Sequence, residues 1–231
     1  MPYTLCHPAI ALPLRKVKFI NFTCFILGTL APDLEYFYLF FSSGYSHSLE
    51  GLFLFCLPGG WVLYLLWERH WRGALNHFFK DSPFRSSKLE IFKGSFSIIS
   101  GSASHILWDS FTHKSWATQT LFPSLTGFIS LTDKYSVPVY SLLQHGSTIL
   151  GALIIIFFFY RWPKTPRQWN FNFLKRYLVY GTIISGFLTL ALNRSSVHNN
   201  PIVLMGLSLM IFVFLSLTAI GINDRCKNEE K

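Results

Sequence analysis

Apolar runs long enough to cross a bilayer recur along this chain, and they decide what it can fold into. A membrane-spanning helix needs about 20 mostly apolar residues. Residues 202–222 are nearly free of polar groups, and 178–192 form a shorter run that extends back through Tyr177. Residues 147–162 hold Ile154-Ile155-Ile156-Phe157-Phe158-Phe159, followed by Tyr160 and Trp162, aromatic residues suited to a membrane interface. Residues 51–67 make a fourth run, interrupted by Pro58-Gly59-Gly60, where a kink is expected. Composition points the same way. The chain is 51% hydrophobic and 13% charged, whereas soluble domains carry about 25% charged residues. Too little charge remains to coat a soluble surface.

Two further stretches are long enough to span and contain ionisable groups. Residues 19–41 carry Asp33 and Glu35, and residues 94–111 carry His105 and Asp109. Such groups are costly at membrane depth and normally face a bundle interior or an aqueous cavity. These two stretches are therefore the expected functional helices. The sum is an all-α, polytopic helical membrane protein with about six membrane segments. It forms a single embedded domain over residues 1–231, with no internal repeat, low-complexity tract or second soluble domain.

The net charge of +9 argues against nucleic-acid binding because of where it lies. Basic residues sit in short segments between apolar runs: Arg15, Lys16 and Lys18, then 69–93, then 161–176. Nucleic-acid binders concentrate such charge on a polar groove or arm. Here the positive-inside rule applies. With six spans, all these segments and the tail fall on one side, so both termini are expected to be cytoplasmic. Thr29-Leu30-Ala31 loosely resembles a cleavage site, but Pro32 follows and fourteen residues precede the basic cluster, so an uncleaved segment is expected. Cys24 and Cys56 lie in apolar runs and read as packing residues, and no C-x-x-C occurs. Cys6 adjoins His7 and is a weaker ligand candidate.

The sharpest local signal is His105-Ile106-Leu107-Trp108-Asp109-Ser110-Phe111-Thr112-His113. Residues at i, i+4 and i+8 share a helix face. Two imidazoles and a carboxylate projecting together are a donor set that zinc and similar divalent ions take. Ser102, Ser104, Ser110 and Thr112 stand nearby as candidate hydrogen-bond partners for the ligands. A hydrogen-bonded polar seam or a proton path is the competing reading of the same spacing. Upstream, Pro32-Asp33-Leu34-Glu35-Tyr36 places two acids in one turn, Tyr45-Ser46-His47-Ser48-Leu49 follows, His7-Pro8 lies near the amino terminus, and Gln144-His145 comes later. Asp33 also reads as a plain helix cap, Glu35 as a partner for a basic group, and His145 as an interfacial residue. An α-helical rise of about 1.5 Å per residue carries His7 roughly 16 Å above Lys18, enough for a mid-membrane site.

The opening Met1-Pro2-Tyr3-Thr4 with His7-Pro8, then Ala31-Pro32-Asp33-Leu34-Glu35-Tyr36, Ser46-His47-Ser48-Leu49 and His105-x-x-Trp108-Asp109-x-x-Thr112-His113, resemble the DUF4184 family of bacterial membrane proteins over most of the chain. The order His7, Asp33, His47, His105-x-x-x-Asp109 is also similar to that of YdjM-type inner-membrane metal-dependent hydrolases. More distantly, it is similar to the zinc-dependent phospholipase C and P1 nuclease class of helical phosphoesterases. The chain departs from that soluble class in having no later His-x-x-x-Glu pair.

The resemblance implies a bacterial cytoplasmic (inner) membrane protein and a metal-dependent hydrolase of a phosphoester, with a membrane lipid or lipid-linked substrate. His47, His105 and Asp109 are expected to hold a divalent ion, zinc by donor type, with His113 a further ligand or a group supporting one. Asp33 is expected to accept a proton from water or bridge metals. Glu35, His7 and His145 are reserves for catalysis or ligation. A transporter relaying protons or ions through buried His and Asp, or a non-catalytic scaffold, is the alternative. Transporters often repeat their helix breaks in matched positions, and Pro58-Gly59-Gly60 has no match.

Overall fold

Phe22–Leu30 forms helix α1, which starts where the Asn21 side chain accepts a hydrogen bond from Cys24 N at 3.0 Å. It stops because Pro32 has no N–H to give Gly28 O. The computed structural model in which this is seen describes residues 4–35, 44–72, 87–132 and 135–161, together with 175 and 179. Ahead of α1, Thr4–Lys16 is wound as a 3₁₀ helix containing Pro8 and Pro13. The residues at Leu49–Trp71 form α2, capped by Ser48, whose hydroxyl accepts from Gly51 N at 2.9 Å. Lys88–Thr112 is the long helix α3, capped by Ser87. A short helix α4, Trp116–Thr120, closes with a Ser115/Thr118 capping box. Val139–Arg161 is α5.

Helix α2 leaves α geometry over Leu52–Cys56, where the bonding lengthens so that Leu57 N donates to Leu52 O. Pro58 follows immediately. The expected break at Pro58-Gly59-Gly60 thus takes the form of a π-helical stretch one residue upstream.

The expectation of an all-α chain needs one correction. Phe128–Thr132 and Tyr135–Pro138 form an antiparallel hairpin, with Phe128 opposite Pro138, Ile129 opposite Val137 and Ser130 opposite Ser136. The stretch mixes aromatic and β-branched residues with small polar ones, the composition that favours a short strand over a helix. The protein is otherwise mostly helical among its described residues.

Two helices, Leu49–Trp71 and Val139–Phe158 of α5, are long and apolar enough to cross a membrane. Only 6% of the apolar window of α5 is buried, so among the described residues its apolar face is largely uncovered. The expected span at 19–41 is not one continuous helix, since α1 has nine residues and ends before Pro32. The stretch at 94–111 falls inside α3. The runs at 178–192 and 202–222 lie outside the described residues, apart from Val179.

The core packs Cys24, Leu27, Leu30 and Leu34 against Cys56, Leu63, Trp67, Trp71 and Ile98. Helices α1 and α3 cross with their backbones touching. A Cβ on Gly28 would strike Ile98 O, and one on Gly101 would strike Phe25 O. Small residues at a helix crossing permit such an approach. It sets α3 against the end of α1, where the site is built. Cys24 and Cys56 are buried packing residues, and Cys6 packs beside Gly151 of α5.

Candidate metal centre

The proline that ends α1 leaves carbonyls that would otherwise be bonded within the helix. Side chains of α3 reach two carbonyls there, of which Gly28 O also accepts from Ala31 N at 3.1 Å. Ser102 Oγ donates to Gly28 O at 2.8 Å, and His105 Nδ1 lies 2.7 Å from Thr29 O. A carbonyl only accepts, so His105 carries a proton on Nδ1 and aims Nε2 inward.

Around that Nε2 other donors converge. Asp109 Oδ2, one turn later on α3, is 3.3 Å away, and Asp33 Oδ1 is 3.6 Å away. His47 Nε2 lies 3.7 Å from Asp33 Oδ1 and 3.6 Å from Asp109 Oδ2. A tetrahedral site with bonds of about 2.0–2.2 Å has edges of about 3.3–3.6 Å between its ligand atoms. Each of these four His–Asp separations is close to such an edge.

Asp109 faces a second way as well. Its Oδ1 is 3.6 Å from His7 Nε2 and 3.6 Å from His113 Nδ1. His7 reaches the cluster because the 3₁₀ helix rises about 2.0 Å per residue, or about 18 Å from Lys16 to His7. Its ring stacks on that of His105. Two groups of ligand-type atoms within 4.8 Å result, His7 with His105 and Asp109, and Asp33 with His47 and His105.

Burial makes this arrangement expensive as it stands. Asp33 and His105 are fully buried. Yet His7 Nε2, Asp33 Oδ1, His105 Nε2 and Asp109 Oδ1 have no hydrogen-bond partner. A buried polar atom left unpaired costs about 1–3 kcal/mol, more if charged. Four such atoms, histidine nitrogens paired with aspartate oxygens at 3.6 Å, face one small volume and could hold a cation there. The other oxygen of Asp33 accepts a hydrogen bond from Thr4 Oγ1, which aligns the carboxylate. Burial, with the neighbouring His105 ring second, pushes His7 down to about 3, so it is a neutral, ligand-ready imidazole. Burial likewise lowers His113.

The sequence-derived candidates therefore divide. His7, Asp33, His47, His105 and Asp109 come together. His113 joins them through Asp109, four residues back, its Nδ1 3.6 Å from Asp109 Oδ1. It is the extended residue that caps α3. Glu35 is buried one residue behind the cluster and accepts from Ser46 Oγ at 2.7 Å. His145 lies exposed on α5 and belongs to neither ligand group. Of the four hydroxyls expected near the ligands, Ser102 ties the two helices, while Ser104 and Ser110 bond back to their own helix at Gly101 O and Leu107 O. Thr112 alone meets a candidate ligand, 3.2 Å from His113 Nδ1. Thr4, Ser46 and the Thr29 carbonyl were not assigned roles from the sequence, and nothing in local spacing marks them.

A family model described as a domain of unknown function, DUF4184, matches residues 1–223, so the chain belongs to that family. No curated protein and no solved structure matches the chain.

Proposed function

We propose that this DUF4184 protein is a membrane-embedded, metal-dependent hydrolase of a phosphoester carried on a lipid. The observation that carries the metal half is the convergence of unpaired, buried ligand atoms from Asp33, His47, His105, Asp109 and His7. The donor set of imidazole and carboxylate suits zinc. Asp33, expected to act as a base, is better read as a ligand, since its Oδ1 sits among the ring nitrogens. Asp109, with one oxygen toward His47 and His105 and the other toward His7 and His113, would be a ligand shared by both groups. When bound, such an ion polarises a phosphoryl oxygen and lowers the pKa of the attacking water.

The phosphoester half rests on the order His7, Asp33, His47, His105-x-x-x-Asp109, similar to that of the helical phosphoesterases. The lipid half rests on the setting. A cavity of roughly 550 Å³ is lined by Trp108, Phe111, Phe122, Leu142, Leu143 and Leu150, and by Thr112, which touches His113. It offers an apolar chain a place between α3 and the exposed apolar face of α5. The protein is read as a multi-pass protein of the bacterial inner membrane with both termini cytoplasmic.

The test is incubation of metal-loaded protein with mixed phospholipids and polyprenyl phosphates, with and without chelator, following released phosphate and headgroups. Chelator-sensitive turnover lost in Asp109→Ala is expected. If the metal-loaded protein turns over nothing, while ion or proton flux into liposomes depends on Asp109, the transporter reading replaces this one.

A further inference from the structure

His47 is the ring in the cluster with the least support from a helix. It sits in the 44–48 turn before α2, and its side chain is 21% exposed, against none for His105. His105 is fixed by a carbonyl. His47 has a different device, a buried hydroxyl and a buried carboxylate in line. Ser46 Oγ donates to Glu35 Oε2 at 2.7 Å and lies 2.9 Å from His47 Nδ1. Ser46 is fully buried and Glu35 is 2% exposed.

We propose that Glu35, acting through Ser46, locks His47 in the tautomer that can bind metal, and is a positioning residue rather than a group that meets substrate. The direction of the chain follows from what each group can do. A carboxylate only accepts, and a serine hydroxyl has one proton. That proton goes to Glu35, so Ser46 presents only lone pairs to His47. Nδ1 must then carry the ring proton, which leaves Nε2 bare. Nε2 is the atom that faces Asp33 Oδ1 and Asp109 Oδ2.

The hydroxyl is held from several sides. The Ser46 backbone N–H also points at Glu35 Oε2, at 3.4 Å. Cys56 Sγ donates to Ser46 O at 3.3 Å. A Cβ on Gly51 would strike Tyr45 O, so only glycine lets the first turn of α2 lie against this segment. Sequence distance hides the link, since Glu35 and Ser46 belong to separate segments.

This inference rests on the metal-centre reading, and the experiment separates the two. Detergent-purified, metal-stripped protein is titrated with cobalt(II) against a competing chelator, for wild type, Ser46→Ala, Glu35→Gln and His47→Ala. The nitrogen shifts of His47 in ¹⁵N-histidine-labelled, metal-free protein report its tautomer. Ser46→Ala removes the link. Glu35→Gln keeps its size but supplies an amide that can donate to Ser46 and turn the hydroxyl proton toward His47. Both variants should bind cobalt about 10–100-fold more weakly than wild type, with helical circular dichroism unchanged. The His47 signals should move away from a single Nδ1-protonated form. A purely packing role would leave those shifts alone. Wild-type affinity and an unchanged tautomer in both variants overturn the inference. Absence of cobalt binding by wild type overturns the metal centre, and this inference with it.

Discussion

The imidazole of His7 lies on that of His105, ring centroids 3.8 Å apart and planes inclined by 21°. Two rings so placed in a buried site cannot both be charged at modest cost. Burial first, and the His105 ring second, hold His7 down to about 3, against about 6.5 in an unfolded chain. Above pH 6.5 neither state holds this proton. Below it the unfolded chain takes the proton and the folded one does not, so the contribution to stability is lost as pH falls from about 6.5 toward 3. Metal-free protein should therefore show a thermal midpoint that falls between pH 7 and 4, and His7→Gln should flatten that fall. Equal slopes in the two proteins would show that His7 is protonated in the fold.

Metal content distinguishes the two faces of Asp109. Asp109→Ala and His105→Ala should each strip bound metal almost entirely, because each removes a ligand atom that the others surround. His7→Ala should lower the metal-to-protein ratio without abolishing it, since His7 faces Oδ1 alone. Elemental analysis after dialysis reads both. Unchanged metal in Asp109→Ala and His105→Ala would refute the site.

Much of this centre was legible because helical spacing announces itself. His105 and Asp109, four residues apart, share a face whatever surrounds them. The partners of that pair come from a 3₁₀ helix, a turn after Pro32 and a loop before α2, and sequence proximity says nothing about which of them meet. His113 extends the same spacing to Asp109, although α3 ends at Thr112 and His113 is its extended cap. Thr4 and Ser46 went unassigned, since a hydroxyl reveals its role only through a contact distant in the chain. The hairpin over residues 128–138 is too short for its alternation to stand out from the surrounding polar segment. The apolar runs at 51–67 and 147–162 fall on the two described helices that are long and apolar enough to cross a membrane, whereas 19–41 is broken at Pro32, beside the site.

The α1–α3 crossing ties fold to site. Gly101 lies against Phe25 O, with Thr29 N 3.0 Å from the position of a Cβ. Gly101→Val would push the helices apart and draw His105 away from Thr29 O. The expected cost is about 1–3 kcal/mol of stability, accompanied by weaker metal binding. A conservative change on the exposed side of α3, such as Leu107→Met, should do neither. Thermal unfolding and metal titration of both variants check this.

Topology can be read with reporter fusions. The Lys/Arg-rich segment around residue 85 and the segment around residue 125 flank α3, and should report opposite sides of the membrane, with residue 85 cytoplasmic. Matching reports from the two fusions would show that α3, which is not one of the two described helices apolar enough to qualify as a span, does not cross.

The most discriminating substitution is Asp33→Asn. If Asp33 were only a base, the amide would keep the fold and the metal and lose turnover alone, because amide and carboxylate are nearly the same size. The structure places its Oδ1 between the Nε2 atoms of His47 and His105 and anchors its Oδ2 to Thr4. An amide there offers one neutral oxygen in place of a charged carboxylate, and its NH₂ cannot ligate a cation. As a ligand, then, Asp33→Asn should weaken metal binding by about ten-fold or more, in parallel with any loss of activity. Thr4→Val, which frees Oδ2 without removing the ligand atom, should weaken it less. Both are read by competition against a chelator of known affinity. Full metal affinity in Asp33→Asn, with activity gone, would return Asp33 to the role of base and leave His47, His105 and Asp109 as the ligands that hold the ion.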